Sequence, residues 1–447
     1  PYDIEVSRPA KDTINASIKD EFYWDSFTEV THALVRYPNT AYWRLRLDAK
    51  HFNGIPKRGY LMKGIMVNMP VGYDPIARTY PGTWNGAMTT VPAWTNNPAW
   101  VFYDLCVNTR YGLGQFIDWT MIDKYSLYQI SQYCDEMVPD GKGGTEPRFT
   151  CNMYLQRQQE AFTVLKELAG MFRSILYWHN GFLTLRQDAP GVVSAQFNRS
   201  NVIDGKFIYS GTPRATRVNV VLVTWNNPSD NYKANVEYVE DPAGIAKYGV
   251  IEKKVIAVGC TSRAQAHRYG KYILLTSSLE TDSIAFKTGL DSLNVQPGDL
   301  MRINDPLHNS HTDPDARLGG RILSSTTTSV VLDRPVTLEA SESYTISLLD
   351  QAGNVESRSV TNSSGTVTPP AAITFSGSLS SEPLNNSVWC ITIDGEDKVY
   401  RVMSIKEMDQ EDDGHYEISG LLCADSKVSQ IDDVGDLDDD VGQPGQN

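Results

Sequence analysis

The sequence predicts an α+β, multidomain fold, and three observations predict it. The chain has 447 residues, enough for about three domains at roughly 150 residues each. An apolar stripe at helical spacing (Ala161, Phe162, Leu165, Leu168, Ala169 and Phe172) runs directly into a hairpin signature. From about Ser283 onward, short apolar runs recur as strands at close spacing. Hydrophobic residues are 41% of the chain, the ordinary range for a packed protein, which excludes bulk disorder. No stretch approaches the roughly 18 uninterrupted apolar residues of a membrane-spanning helix.

Taken in order, residues 1–55 read as a partial strand-rich unit. Tyr2, Ile4 and Val6 alternate, and Tyr42, Leu45 and Leu47 do so less regularly. The chain opens at Pro1 without an initiator Met or leader, which reads as a piece of something longer. Residues 56–190 read as an α+β unit. Its first part is irregular and rich in Pro, Gly and aromatics, including Tyr73, Tyr80, Trp84, Trp94 and Trp100. Long structured loops of this kind are commonly functional, and Tyr73, Tyr80, Trp84 and Trp94 are candidate interface residues. Asn97 before Pro98 starts a helix. A second helix is expected over about Met121–Met137 with Asp118 near its start, and a third over Gln158–Arg173. Asn180-Gly181 between apolar runs predicts a hairpin.

Residues 191–300 read as mixed β/α. Strands are expected over Arg217–Trp225 and Tyr232–Glu240, with a short helix opened by Asp241-Pro242 and closed by Gly249. Ser262 with Gln265 predicts a capping box on a helix running to about Thr276. Residues 301–425 read as a small all-β, barrel-like module, with strands at Asp299–Ile303, Val330–Leu332, Tyr344–Leu348, Val388–Ile393, Tyr400–Ile405 and Tyr416–Leu421. A Ser/Thr/Gly/Pro-rich bridge, Thr361–Glu382, interrupts them. Residues 426–447 read as an acidic tail or linker.

Charge and chemistry narrow the function. Forty Lys+Arg against 54 Asp+Glu give a net charge of −14, a poor basis for gripping phosphate backbones, so no specific nucleic-acid binding is expected. Six aspartates lie between Ile431 and Asn447 with no cation. The six cysteines lack close pairing and read as reduced, buried thiols, with a Cys134–Cys151 bridge left open. No Gly-x-Ser-x-Gly or His-Glu-x-x-His motif is present. Gly141, Gly143, Gly144 and Thr145 read as a rigid turn and not a phosphate cradle. Asp409, Glu411, Asp413 and Gly414 echo a calcium loop whose twelfth position is Gly420 instead of Glu. His308, His311, Asp313 and Asp315 are the weak metal candidates. His267 reads as a hydrogen-bonded structural histidine, with a catalytic base beside Cys260 or Asp299 as the alternative. No catalytic residue and no cofactor are assigned.

Two long runs carry a resemblance. The first is Ser131-Gln132-Tyr133-Cys134-Asp135, Val138-Pro139-Asp140-Gly141, Gly143 to Arg148, Thr150-Cys151-Asn152 and Tyr154-Leu155. The second is Gly259-Cys260-Thr261-Ser262-Arg263 with Gln265-Ala266-His267-Arg268, where Val258 stands in place of a family phenylalanine. Shorter matches are Arg36 to Ala41, Arg110-Tyr111-Gly112, Asn198 to Val202, Pro297-Gly298-Asp299 and Gly319-Gly320-Arg321. Together they resemble the tip attachment proteins J of lambda-like siphophages, in the family's order from near residue 35 to about 425.

The resemblance implies a phage tail-hub architecture: β-barrel or β-sandwich hub domains, a central α+β domain and a small all-β C-terminal module. It implies a structural, non-enzymatic virion protein at the tail tip that closes the distal tail tube as a homotrimer and acts in host attachment and DNA delivery. Implied partners are further copies of the chain, other tail-tip and tube proteins, the tape-measure protein, and a host outer-membrane receptor reached through a C-terminal extension beyond Asn447. Assembly is expected in the host cytoplasm. The family stretch near His308 is acidic and lacks the histidine pair. The alternative reading is a tail-associated cell-wall hydrolase using that loop.

Overall fold

The structure is a computed structural model. It describes residues 42, 47, 50–51, 54–57 and 59–437, except 156–158, 180, 214–215, 306–318, 394–397, 409–413 and 425. The expected strands before Asp48, the His308 loop and Asp409, Glu411 and Asp413 lie outside the described residues. The chain divides into two compact units, Pro1–Tyr60 and Leu61–Asn447. In the first, the described Tyr42 and Ile55 are exposed.

The second unit opens with an irregular segment braced by isolated bridges, Val67 to Ala93, Pro70 to Met88 and Asp74 to Thr79. Helix α1, Pro98–Val107, starts where Asn97 accepts a hydrogen bond from the Ala99 amide, with Pro98 in its first turn. Asp118 caps a one-turn 3-10 helix, Trp119–Met121. The second α-helix, α2, therefore begins later than expected, at Lys124–Asp135, because Asp123 supplies its cap. Strands β1, Met137–Pro139, and β2, Thr145–Pro147, flank the glycine-rich turn. There Asp140 accepts from the amides of Lys142 (2.8 Å) and Gly144 (2.9 Å), while Gly141 and Gly143 take φ of 70° and 83°.

Helix α3, Ala161–Met171, buries Leu165, Leu168, Ala169 and the following Phe172, while Phe162 stays exposed. Arg173 (φ 56°) ends it and leads into the hairpin β3, Ser174–His179, and β4, Phe182–Gln187. These helices and this hairpin share one core around Trp100, Phe102, Leu127, Leu168 and Phe172.

The next strands are β5, Val193–Asn198, β6, Val202–Gly211, β7, Val220–Asn227, and β8, Lys233–Glu240. Helix α4, Pro242–Tyr248, is closed by Gly249 at φ 75°, and β9, Glu252–Ile256, follows. A three-stranded sheet of order β8-β7-β9 results, with β9 parallel to β7. Helix α5, Arg263–Leu279, packs on it. Val221, Val223, Val239, Ala266 and Leu274 form this second core.

The helix lies close to the sheet because Gly270 lacks a side chain. A Cβ there would sit 2.6 Å from Cγ2 of Val239 and 3.2 Å from Cγ2 of Val223. Gly270→Val is expected to cost about 1–3 kcal/mol by overpacking, read as a lower denaturation midpoint. An unchanged midpoint would mean that the sheet yields.

The remaining strands are β10, Asp282–Thr288; β11, Leu300–Asn304; β12, Gly319–Ser325; β13, Ser329–Leu332; β14, Val336–Leu338; and β15, Tyr344–Leu349. They continue as β16, Val355–Ser359; β17, Gly365–Val367; β18, Ala372–Thr374; β19, Val388–Ile393; β20, Lys398–Glu407; and β21, Tyr416–Leu422. Helix α6, Ser426–Asp432, comes last. Two six-stranded sheets form, β5-β11-β20-β21-β10-β6 and β16-β15-β19-β12-β13-β18.

The first sheet draws strands from both sides of residue 300. The whole second sheet is an excursion between β11 and β20, with its own core of Ile322, Ile346, Ile373, Trp389 and Ile391. Side-chain amides join the two: Gln196 donates to the Val388 carbonyl (2.8 Å), Asn198 to Trp389 (2.9 Å) and Asn304 to Ile391 (3.1 Å). The Thr361–Glu382 bridge is more regular than expected. Its Gly365–Val367 pairs with β14 and its Ala372–Thr374 extends the sheet edge at β13, because alternating Thr and Val or Ile suits a half-buried strand.

Candidate functional site: a charged seam between two sequence motifs

The two motif runs, 131–155 and 258–268, meet in space. Arg268 on α5 is fully buried, and its guanidinium donates to Glu146 Oε1 (2.6 Å), the Pro139 carbonyl (3.1 Å) and the Arg148 carbonyl (3.2 Å). It therefore grips both strands of the β1–β2 hairpin. Ser262 accepts from the Gln265 amide as a helix cap (3.2 Å) and donates to Glu146 (2.6 Å).

The expected capping box is half formed. Gln265 turns away from the Ser262 amide and pairs with the Thr150 backbone, accepting from its N–H (3.1 Å) and donating to its carbonyl (3.1 Å). That pairing satisfies both ends of the amide, which a local box does not. The Asn152 amide donates to the Gly259 carbonyl (2.8 Å) and its side chain to Thr261 (2.9 Å).

Charge continues along this seam. Arg148 donates to Glu136 (2.7 Å) and to Asp432, and stacks over the Tyr133 ring. Arg173, buried beside it, lies over the rings of Phe149 and Tyr272, and its guanidinium has no hydrogen-bond partner among the described residues. Burial lowers its pKa against the opposing pull of nearby Tyr133 and Asp432.

A second node centres on Asp188. It accepts from Arg401 (2.8 Å), Lys427 (2.7 Å) and the Tyr272 hydroxyl (2.9 Å), and Lys427 also donates to Glu280 (2.6 Å). Burial alone would raise the Asp188 carboxyl, but Arg401 and Lys427 bring it below the ordinary carboxylate range. Burial keeps Glu280 above its ordinary value despite Lys427. A third node is Asp135, which accepts from Tyr73 (2.7 Å), Tyr80 (2.5 Å) and Arg78.

Chemically, this arrangement fixes segments against one another. Cys106, Cys151 and Cys260 are pushed up to about 12 by burial, the opposite of an activated thiolate. The six cysteines, Cys134 and Cys151 included, are free thiols. His267 bonds to Glu237 (3.1 Å), which also takes Arg263 (2.7 Å), a structural pairing. His308, His311, Asp313 and Asp315 lie outside the described residues. Among the described residues no group of three or more His, Cys, Asp or Glu side chains could hold a metal ion, and no helix is long and apolar enough to cross a membrane.

Of the candidate interface aromatics, Tyr73 is buried in the helical core, with Tyr80 packed against that core. Trp84 stacks on Tyr128 at 4.7 Å between ring centroids, and Lys63 lies over Trp94. The nodes at Asp135, Asp188 and Lys427 were not singled out from sequence. No local signal marks them, since each has charged or polar neighbours in sequence.

Two surface features complete the picture. A cleft of about 750 Å³ beside the sheet-to-sheet junction is lined by Asn198, Arg199, Asp204, Lys206, Asn304 and Asp305. Among the described residues, the three-stranded sheet covers one face with α5 and leaves the other open. Register places Leu222 opposite Tyr238 and Lys254, and Thr224 opposite Val236 and Ile256. On that face Val236, Tyr238 and Ile256 are 48%, 44% and 71% exposed.

Comparison with known proteins places the chain. A family model described as "Putative phage tail protein" matches residues 160–321. The chain is similar, at 10% identity and a TM-score of 0.37, to a component of the virion of a native gene transfer agent particle, covering 62% of this chain and 43% of that one. It is similar, at 10% identity and a TM-score of 0.30, to the tail protein from Neisseria meningitidis MC58, covering 63% and 60%. The class that the matched family model describes is that of phage tail proteins. Two curated relatives are named tip attachment protein J. That of Escherichia phage SECphi4 is 33% identical over 439 residues, 97% of this chain and 37% of the relative. That of Escherichia phage SECphi27 is 36% identical over 321 residues, 72% and 26%. The chain is thus a homologue of proteins named tip attachment protein J over most of its length, and it spans roughly a third of those relatives' length or less.

Proposed function

We propose that the chain is a structural, non-enzymatic hub segment of a siphophage tail tip. Three copies close the distal end of the tail tube, and the hub carries a receptor-binding extension, serving host attachment and DNA delivery. The observation that carries this reading is the match to one tip attachment protein along 97% of the chain and to a second along 72%. In this reading the two six-stranded sheets are the barrel-like hub units and residues 98–187 the α+β domain. Neighbours are other tail-tip and tube proteins and the tape-measure protein, met during assembly in the host cytoplasm.

Subunit contact uses the open sheet face with Val236, Tyr238 and Ile256. Exposed Val236 and Tyr238 on the edge strand β8, with Ile256 on β9 across β7, suit a protein surface better than water. Tyr80, Trp84 and Trp94 contribute from the aromatic loop, whose shape Tyr73 holds. The acidic balance suits a conduit that DNA must pass without adhering.

Immunogold electron microscopy of intact phage, with antibody raised against this chain, is expected to label the tail tip alone. Label distributed along the tail, or none with an antibody that recognises disrupted particles, would overturn the placement.

A further inference from the structure

Residues 426–437 cross three parts of the fold without belonging to a sheet. Helix α6 has seven residues, too few to persist alone in water, so tertiary contacts must order it. Those contacts are ionic at Lys427 and Asp432 and apolar or backbone-mediated elsewhere. Lys427 is 2% exposed and enters the Asp188–Glu280 pair at the junction of β4, β5 and α5. Asp432 meets Arg148, and the Lys271 ammonium donates to the Asp433 carbonyl. The Leu437 amide then donates to the Gly141 carbonyl at 2.8 Å, and the Leu437 side chain occupies the space a Cβ at Gly141 would take. Ile431, Val434 and Leu437 supply apolar pegs, the last two packed with Ala264.

The energetics of such a closure are balanced. Seating Lys427 removes three charges from water, and the desolvation cost offsets much of the Coulombic gain. With the strap away, Asp188 retains Arg401 and Tyr272, so its seat persists as a formed charged site. A short segment held at a few points over a seat that survives its removal is the kind of element that opens as a unit below the global transition.

We infer that residues 426–437 form a releasable strap, an order–disorder device keyed by Lys427, whose opening frees the hairpin turn at Gly141 while Arg268 still holds β1 and β2 to α5. The inference stands independently of the tail-tip reading. Native-state hydrogen exchange of the 447-residue chain in graded subdenaturing urea tests it. Amides of 427–437, that of Leu437 on the Gly141 carbonyl included, are expected to exchange through an opening that precedes global unfolding, while β7 and β19 remain protected. Lys427→Met is expected to speed strap exchange at least tenfold with β19 unchanged. Strap amides that exchange only with the global transition would overturn the inference, as would a Lys427→Met variant with unaltered strap exchange. If that variant does not fold, the urea series on the wild type decides alone.

Discussion

Asp188→Asn is expected to lower the unfolding free energy by about 3–5 kcal/mol, the cost of breaking a buried ion pair and leaving its cations inside. Arg401, Lys427 and Asp188 side chains are 10%, 2% and 8% exposed, so water does not replace the lost carboxylate. An exposed pair supplies the control. Lys233 and Asp230, 68% and 46% exposed, are expected to tolerate Lys233→Ala within about 0.5 kcal/mol.

The pH dependence has a definite sign. Asp188 titrates below its ordinary value in the folded chain, so its contribution is present above the unfolded carboxyl value of about 4. It is lost as pH falls through the folded value. Glu280 is raised by burial and acts in the opposite sense, favouring the fold below its unfolded value and losing that contribution as pH rises. The gap between wild type and Asp188→Asn is therefore expected to be widest at neutral pH and to narrow in acid. Denaturant melts at several pH values read it directly. A gap independent of pH would show that packing, and not charge, is what Asp188 supplies.

The seam explains why two distant stretches of sequence stand out together. Arg268 and Gln265 lie one turn apart on α5, and their partners Glu146, Arg148 and Thr150 lie within five residues on and after β2. Neither run makes sense without the other: each holds polar groups that are buried only because the opposite run satisfies them. Lys427 and Asp432 then tie the last helix into the same charge system. The protein's distinctive residues are thus used to hold cores together.

Local chemistry was legible where it acts over a few residues. Asn97-Pro98, Asp241-Pro242 with Gly249, and Ser262 each mark a helix end that the structure contains. The strands at Val388–Ile393 and Tyr416–Leu422 follow from apolar runs. Long-range register was not legible. Nothing local tells that β11 pairs with β20 across an excursion of some ninety residues, or that Gln265 prefers Thr150 to its own cap. The charged nodes escaped for the same reason, since Asp188, Glu280, Arg401 and Lys427 are far apart in sequence and each alone reads as a surface charge. Aromatics were visible by type, but whether Tyr73 faces a partner or a core depends on Asp135, 62 residues away.

Asp135→Ala is expected to release the aromatic segment and to cost about 3 kcal/mol, because it leaves the Arg78 guanidinium and two buried hydroxyls without their acceptor. Asp135 is 2% exposed at its side chain and Arg78 15%. Tyrosine ionisation gives a second, independent reading. Burial first, and the Asp135 charge second, hold Tyr73 and Tyr80 well above the ordinary phenol range. Their neutral forms therefore favour the fold below the unfolded value of about 10, and that contribution is lost as pH rises through the folded values. In Asp135→Asn, which keeps an acceptor but removes the charge, spectrophotometric titration is expected to show tyrosines ionising at lower pH than in wild type, with a smaller loss of stability than in Asp135→Ala. Identical titration curves for wild type and Asp135→Asn would mean that burial alone governs these phenols. The node would then be a steric brace instead of an electrostatic one.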